Sequence, residues 1–217
     1  MLLFDLDGTL VDSSGVWLQI DLDFTARRAL PHTQEYHDFV AHASAPAAAQ
    51  FTKDYYGLSE SVEAIMQEWQ DQAMDEYANH IPAKPHVREY LQQCRKRGED
   101  MVILTSCAPE MCRATLQHND LAQYFSRLFF AQELGIEKRD PALFRTVADT
   151  LHVPTADCRL YDDSPVSCRS AKDAGMEVVG VYDEIFAKSE AELRALCDRY
   201  ILNFSELLST DKQICFT

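Results

Sequence analysis

Met1-Leu2-Leu3-Phe4-Asp5-Leu6-Asp7-Gly8-Thr9-Leu10 opens the chain as a short apolar strand that runs into two carboxylates spaced i and i+2. In a parallel α/β sheet the ligand crevice lies beyond the carboxyl ends of the strands, so Asp5 and Asp7 fall where a site is built. Extended geometry aims both side chains to one side, and Gly8 lets the backbone turn sharply away. One carboxylate of such a pair can attack while the other moves a proton. Alone, the stretch also reads as a solvated turn or part of a metal loop.

Three further segments decide between these readings. Met101-Val102-Ile103-Leu104-Thr105-Ser106 is an apolar strand ending in two hydroxyls. Glu137-Lys138-Arg139-Asp140-Pro141 places a lysine just before a helix, and Leu160-Tyr161-Asp162-Asp163-Ser164 is another strand ending in carboxylates. Each falls where a βα loop is expected. In this order the four segments resemble the haloacid dehalogenase superfamily, in particular its β-phosphoglucomutase and small-molecule phosphatase branch. The resemblance spans nearly the whole chain. It implies an α/β fold with a Rossmann-like parallel sheet core and an inserted α-helical cap.

The pattern along the chain agrees. Residues 13–84 read as helix after helix, with helices expected over about 15–30, 34–41, 46–56 and 59–79. Ser59, with Val62 and Glu63, offers a start for the last of these, and Val62, Ile65, Met66, Trp69 and Ala73 recur at the spacing of a bundle core. Strand and helix then alternate: helix 86–97, strand 101–105, helix 109–118, strand 127–131, helix 141–151, strand 158–162, helix 165–174 and strand 176–181. Such alternation means a parallel sheet with right-handed crossovers. A helix near 189–198 and an edge strand in Tyr200-Ile201-Leu202-Asn203-Phe204 complete it, with 211–217 as a loose end or a docked turn. The domains expected are therefore a core of 1–12 and 85–217 and a cap of 13–84, with hinges at Asp12-Ser13-Ser14-Gly15 and at Ile81 to Pro85. A cap on two hinges can close over a substrate and exclude water.

Composition narrows the partners. A formal charge of −15 opposes binding to nucleic acid or an anionic membrane, both of which reward clustered Lys and Arg. No apolar run approaches the length needed to span a bilayer, and residues 1–10 already carry site groups in place of a cleavable signal. The seven cysteines are odd in number and lack metal or redox spacing, which suits reduced thiols in a cytoplasmic protein. Cys107, beside the Thr105-Ser106 loop, lacks the basic neighbour an activated thiol requires.

The resemblance assigns the chemistry residue by residue. It implies Asp5 as the nucleophile that forms an aspartyl-phosphate, and Asp7 as the acid for the leaving alcohol and then the base for water. Relatives that hydrolyse alkyl halides or ATP usually carry another residue at the second position, so by the resemblance Asp7 points to phosphatase or phosphomutase chemistry. A carboxylate attacking a dianionic phosphate needs a cation between them. Mg²⁺ is therefore expected on Asp5, the Asp7 carbonyl, Asp163, and Asp162 directly or through water. The alternative for Asp162 and Asp163 is capping of the helix that begins at Pro165. Thr105 and Lys138 are expected on the phosphoryl group, with Gly8, Ser106 and Trp17 completing the substrate contacts. Three positions depart from the common family pattern: Asp162 stands where Gly is usual, Ser167 holds the later Asp position, and Arg139 replaces a Pro.

Three functions compete: a phosphatase for a small sugar- or polyol-like phosphate monoester, a phosphomutase, and a phosphate-sensing module without catalysis. In the mutase relatives a His lies ten residues after the second Asp; here that position is Trp17, and no Arg stands near Ala43-Ser44-Ala45-Pro46 to grip a distal phosphate. Residues 13–84 carry four Lys or Arg against eleven Asp or Glu, an unfavourable field for a bisphosphate. A sensing module would gain nothing from a nucleophile and its acid partner. The sequence therefore favours a Mg²⁺-dependent phosphatase, acting as a monomer on a small phosphorylated metabolite.

Overall fold

The structure is a computed structural model that describes residues 1–40, 43 and 45–208; the expected end segment 211–217 and residue 41 of the second expected helix lie outside these. The described residues divide into two compact units, Met1–Ser14 with the chain from Ile81 onward, and Gly15–His80.

The first unit is built on a six-stranded, all-parallel sheet: β1 (Leu2–Phe4), β2 (Met101–Thr105), β3 (Arg127–Phe130), β4 (Arg159–Asp162), β5 (Glu177–Val181) and β6 (Arg199–Ile201). The order across the sheet is β3-β2-β1-β4-β5-β6, so the chain reverses direction of growth at β1 and β4. Phe4 sits opposite Ile103 on one side and Tyr161 on the other, which brings the residues after β1 and β4 to the switch point where open α/β sheets bind ligands.

Alternation along β1 explains how the sheet is held. Leu3 faces one layer with Val102, Leu104, Leu160 and Val178, against Leu143, Phe144 and Val147 of a helix that follows β3. Phe4 faces the other layer and stacks on Tyr161 with ring centroids 4.3 Å apart. Both side chains are fully buried, and truncating either to Ala would cost about 2–5 kcal/mol.

The two units carry ten helices among the described residues, α1 (Val16–Arg27), α2 (Gln34–Val40), α3 (Ala45–Tyr56) and α4 (Val62–Asn79) in the second unit, then α5 (Val87–Lys96), α6 (Pro109–His118), α7 (Ala131–Leu134), α8 (Pro141–Leu151), α9 (Pro165–Asp173) and α10 (Glu190–Leu196) in the first. The α/β class and the parallel core with inserted helices thus agree with the sequence. Two local readings need correction. The α4 cap is Ser61, whose Oγ accepts from the Ala64 amide, and the helix starts at Val62 rather than 59, because a hydroxyl three residues ahead of a free amide outcompetes Ser59. The last strand is Arg199–Ile201, and Phe204 lies beyond it in a 3-10 turn that Asn203 and Glu206 cap reciprocally.

Within the second unit Ile20, Phe24, Ile65, Trp69, Ala73 and Tyr77 are buried, and Phe24 meets Trp69 edge to face at 5.6 Å. Ile65, Trp69 and Ala73 are the expected core positions of α4; Val62 and Met66 are half-buried flanks. Trp17 is different: it stands 55% exposed on α1, so it is not core of this unit.

Candidate active site

Asp5 follows the last residue of β1, with its amide still donating to the Tyr161 carbonyl, so the strand carries it to the sheet edge with an ordered backbone. The chain then turns tightly: the amides of Leu10 and Val11 donate back to the Leu6 carbonyl at 2.9 and 3.1 Å. Gly8 makes this turn at φ +70°, and a Cβ there would stand 2.2 Å from Asp163 Oδ2. Glycine is required on both counts, conformation and close approach. Asp5, Asp7, Gly8, Thr105, Ser106 and Lys138 line one open pocket of about 320 Å³ together with Asp162 and Asp163. Every predicted site residue of the first unit is therefore in one place; Trp17 belongs to the second unit.

Lys138 is the hub. It precedes α8, whose start is set by Pro141 and by Asp140 accepting from the Ala142 amide at 2.8 Å, and its Nζ lies 2.6 Å from Asp5 Oδ1 and 2.9 Å from Asp162 Oδ2. Arg139, in the place of the usual Pro, points to solvent and pairs with Glu137, which leaves the position of Lys138 undisturbed. Burial opposes the Lys138 charge, but Asp162 and Asp5 beside it raise its pKa overall, so it remains an ammonium.

Asp162 is fully buried and its carboxylate is well bonded: Oδ1 accepts from the Ser164 amide at 2.9 Å, and Oδ2 accepts from Ser167 Oγ at 2.6 Å as well as from Lys138. Ser167 thus uses the later position of this motif to hold Asp162 in place. Asp163 Oδ1 accepts from Thr9 Oγ1 at 3.2 Å. Thr9 and Ser167 are the site residues that sequence reasoning missed; their signal was only their place inside the first and last motifs, since nothing local says which way a hydroxyl points.

Asp5, Asp162 and Asp163 can each offer one oxygen to a point where these atoms lie within 4.8 Å of one another. Three buried carboxylates against one ammonium leave uncompensated negative charge. Burial accordingly pushes the pKa of Asp5 up, against the pull of Lys138 and with the help of Asp162 and Asp7; burial, Asp162 and Asp5 do the same to Asp163. An all-oxygen donor set of this charge fits a hard divalent cation such as Mg²⁺.

Thr105, at the end of β2, is buried; its Oγ1 accepts from the Cys107 amide at 3.0 Å, and its hydroxyl proton remains for a ligand oxygen. Burial, with Asp7 nearby, drives the Cys107 thiol well above its ordinary range, so it stays protonated and is no thiolate nucleophile.

Comparison with known proteins places this geometry. The family model of haloacid dehalogenase-like hydrolases matches residues 2–181. The chain belongs to the haloacid dehalogenase-like hydrolases. Its expected standing as an enzyme of the hydrolase class agrees with that membership. A phosphorylated carbohydrates phosphatase of Thermotoga maritima is 21% identical over 81% of this chain and 81% of its own length. A phosphoserine phosphatase of Thermus thermophilus is 33% identical over 101 residues, 46% of this chain and 41% of that protein. A crystal structure from Thermotoga maritima, provisionally assigned as a β-phosphoglucomutase, superposes with a TM-score of 0.81 at 21% identity, covering 92% of this chain and 93% of that one, and so shares the fold. Among the described residues no helix is long and apolar enough to cross a membrane.

Proposed function

We propose that this phosphoric monoester hydrolase is a Mg²⁺-dependent phosphatase for a small sugar- or polyol-phosphate-like metabolite, working through an aspartyl-phosphate on Asp5, with the helical unit as its cap. The observation that carries the reading is the Asp5 carboxylate, buried at a strand end, 2.6 Å from Lys138 and in one pocket with Asp7 and Thr105. Asp5 Oδ attacks phosphorus in line as the ester P–O bond breaks, and Asp7 gives its proton to the departing alkoxide. Asp7, now a carboxylate, takes a proton from water; the resulting oxygen attacks phosphorus, the P–O bond to Asp5 breaks, and inorganic phosphate leaves. Thr105 Oγ1 and Lys138 Nζ donate to the phosphoryl oxygens, and Lys138 also offsets the charge of the carboxylates facing them.

Asp5, Asp163 and the Asp7 carbonyl would hold Mg²⁺, with Asp162 beside them and already bonded to Lys138, Ser167 and the Ser164 amide. When bound, the ion supplies the charge that lets an anionic nucleophile meet a phosphate dianion. A mutase is disfavoured because, among the described residues, the cations of the pocket and of segment 13–84 are already engaged. Lys138 is the sole Lys or Arg among the described residues lining the pocket. In segment 13–84, Arg27 and Arg28 pair with Glu68, Lys53 donates to the Glu60 carbonyl, and Lys84 pairs with Asp183. A monophosphate with a neutral, hydroxyl-rich remainder fits this field, as does the carbohydrate phosphatase relative. The same reading has the enzyme act as a cytoplasmic monomer.

The test is phosphate release from a panel of sugar, polyol and nucleotide phosphates and p-nitrophenyl phosphate, with Mg²⁺ or with EDTA, beside Asp5→Asn. Metal-dependent release lost by at least about 10³-fold in the variant is expected. A folded wild-type protein that releases no phosphate from any of them would sink the proposal.

A further inference from the structure

The first unit contains a further buried carboxylate, outside the lining of the phosphoryl pocket, that the mechanism does not use. Asp183 follows β5 by two residues and is only 3% exposed. Its Oδ1 accepts from Ser14 Oγ at 2.7 Å and from the Ile185 amide at 3.0 Å; its Oδ2 accepts from Lys84 Nζ at 2.7 Å and from Ser14 Oγ at 2.8 Å. Lys84 Nζ donates also to the Tyr182 carbonyl at 2.8 Å. One carboxylate thus ties together three chain segments that are far apart in sequence, at 14, 84 and 185.

Two of those segments are tied to each other as well. The Lys84 amide donates to the Leu10 carbonyl and the Asp12 amide to the Pro82 carbonyl, each at 2.9 Å, and Val11 bridges Ala83 in antiparallel fashion. Asn119, just past the end of α6, closes the knot: its Oδ1 accepts from the Ala83 amide at 2.6 Å and its Nδ2 donates to the Ile81 carbonyl at 2.9 Å. Within the expected hinges, Asp12 to Gly15 and Ile81 to Pro85, residues Asp12, Ser14 and 81–84 are in this structure hydrogen-bonded into the first unit.

The knot borders the chemistry. Ser13, next to Ser14, lines the phosphoryl pocket, as do Ile185 and Phe186, which follow Asp183 in the 3-10 turn Glu184–Ser189. Ile185 is 65% exposed, so packing of its own does not fix it. What holds its backbone is the cap from Asp183. A carboxylate kept in the interior costs several kcal/mol of desolvation unless well paired, and a neutral Asn or Ser could cap the turn alone. The ion pair with Lys84 is what the negative charge adds.

We propose that Asp183, through Lys84 and Ser14, is a positioning residue for the phosphatase reaction: it holds Ser13 on one side and Ile185 with Phe186 on the other as the walls against which the leaving group of the ester rests. This rests on the phosphatase reading above. Misplacing such walls costs rate without any change at the reacting atoms.

The experiment compares wild type, Asp183→Ala, Lys84→Met, the double variant and Ser14→Ala, each checked for folding by thermal melting. Two quantities are read: kcat/KM for p-nitrophenyl phosphate, whose bulky leaving group needs the walls, and the inhibition constant of inorganic phosphate, which needs only the phosphoryl subsite. Asp183→Ala and Lys84→Met are each expected to lower kcat/KM by about tenfold, the double variant by no more than either, and phosphate inhibition to stay within about twofold. Ser14→Ala, the mildest change, is expected to lose about threefold and carries the test if Asp183→Ala does not fold. Folded variants with unchanged kcat/KM, or a parallel loss of phosphate binding, would overturn the positioning role. A wild-type enzyme inactive on every ester would instead overturn the phosphatase reading, and this inference with it.

Discussion

At the site of the first unit three buried carboxylates share one ammonium, whereas the helical unit, among the described residues, buries a single carboxylate, Asp21, among hydroxyls. Asp21 Oδ1 accepts from Tyr36 OH at 3.4 Å, and Tyr36 OH in turn meets Thr52 Oγ1 at 3.1 Å. Burial pushes the Asp21 pKa up to about 6, with the Tyr36 hydrogen bond and the His37 charge pulling the other way. A helix-packed acid of this kind relieves its own cost below about pH 6 by holding a proton. Burial pushes Asp5 and Asp163 up in the same way, but there a charged Lys138 stands 2.6 Å from Asp5 and 2.9 Å from Asp162. The contrast separates a buried acid that structure tolerates from a cluster that only a cation or a reaction explains.

Lys138→Met should break this contrast most severely. It removes the one ammonium from the cluster, and breaking a buried pair from one side costs about 3–5 kcal/mol. Hydrolysis should fall by about 10²–10³-fold as well, since a donor to the transferring group is gone. Thermal melting in EDTA and steady-state kinetics in Mg²⁺ read the two losses separately. A variant with wild-type activity would remove Lys138 from the chemistry.

Stability against pH sharpens the same contrast. For Asp5, Asp163 and Asp21 the folded state keeps protons that the unfolded chain has released, so their contribution is fully present below the ordinary carboxylate range and is lost as pH rises through the raised values. Without metal, the protein should therefore melt at lower temperature at about pH 8 than at about pH 5. Mg²⁺ should restore more at the higher pH, where the carboxylates it binds are ionised. Asp21→Asn should remove only its own share: an advantage over wild type that grows from about pH 4 to about pH 7, reaching about 1–3 kcal/mol, and that Mg²⁺ leaves unchanged. If Mg²⁺ stabilised the protein equally at both pH values, the cluster would not be the site it binds.

The core was readable because each strand that matters is an apolar run ending in polar groups, as in Leu2–Phe4 before Asp5 and Met101–Thr105 before Ser106. The helix phase of α4 was readable from Ile65, Trp69 and Ala73, though its start was not, since Ser59 and Ser61 both offer a hydroxyl. The four-residue helix α7 escaped because Ala131–Leu134 is shorter than one period of an apolar stripe and directly continues β3. Ser167 on Asp162, Thr9 on Asp163 and Lys84 on Asp183 escaped for a different reason: each bond joins residues from separate elements, brought together by the turn from β4 into α9 for Ser167 and by the strand order for Thr9 and Lys84.

Trp17 is where the smallest effect carries the most information about the helical unit. Its side chain is more than half exposed, so Trp17→Ala should change stability by no more than about 0.5 kcal/mol, unlike a core truncation such as Ile65→Ala at about 2–5 kcal/mol. If the ring contacts substrate, it does so before and during reaction alike. The variant should then raise KM by about threefold to tenfold with kcat nearly unchanged, the signature of uniform binding. Inhibition by inorganic phosphate should not move, because that ion lacks the part of the substrate an aromatic wall would meet. A KM unchanged across the whole ester panel would take Trp17 out of the binding residues, and the specificity of this enzyme would then have to be sought on other side chains.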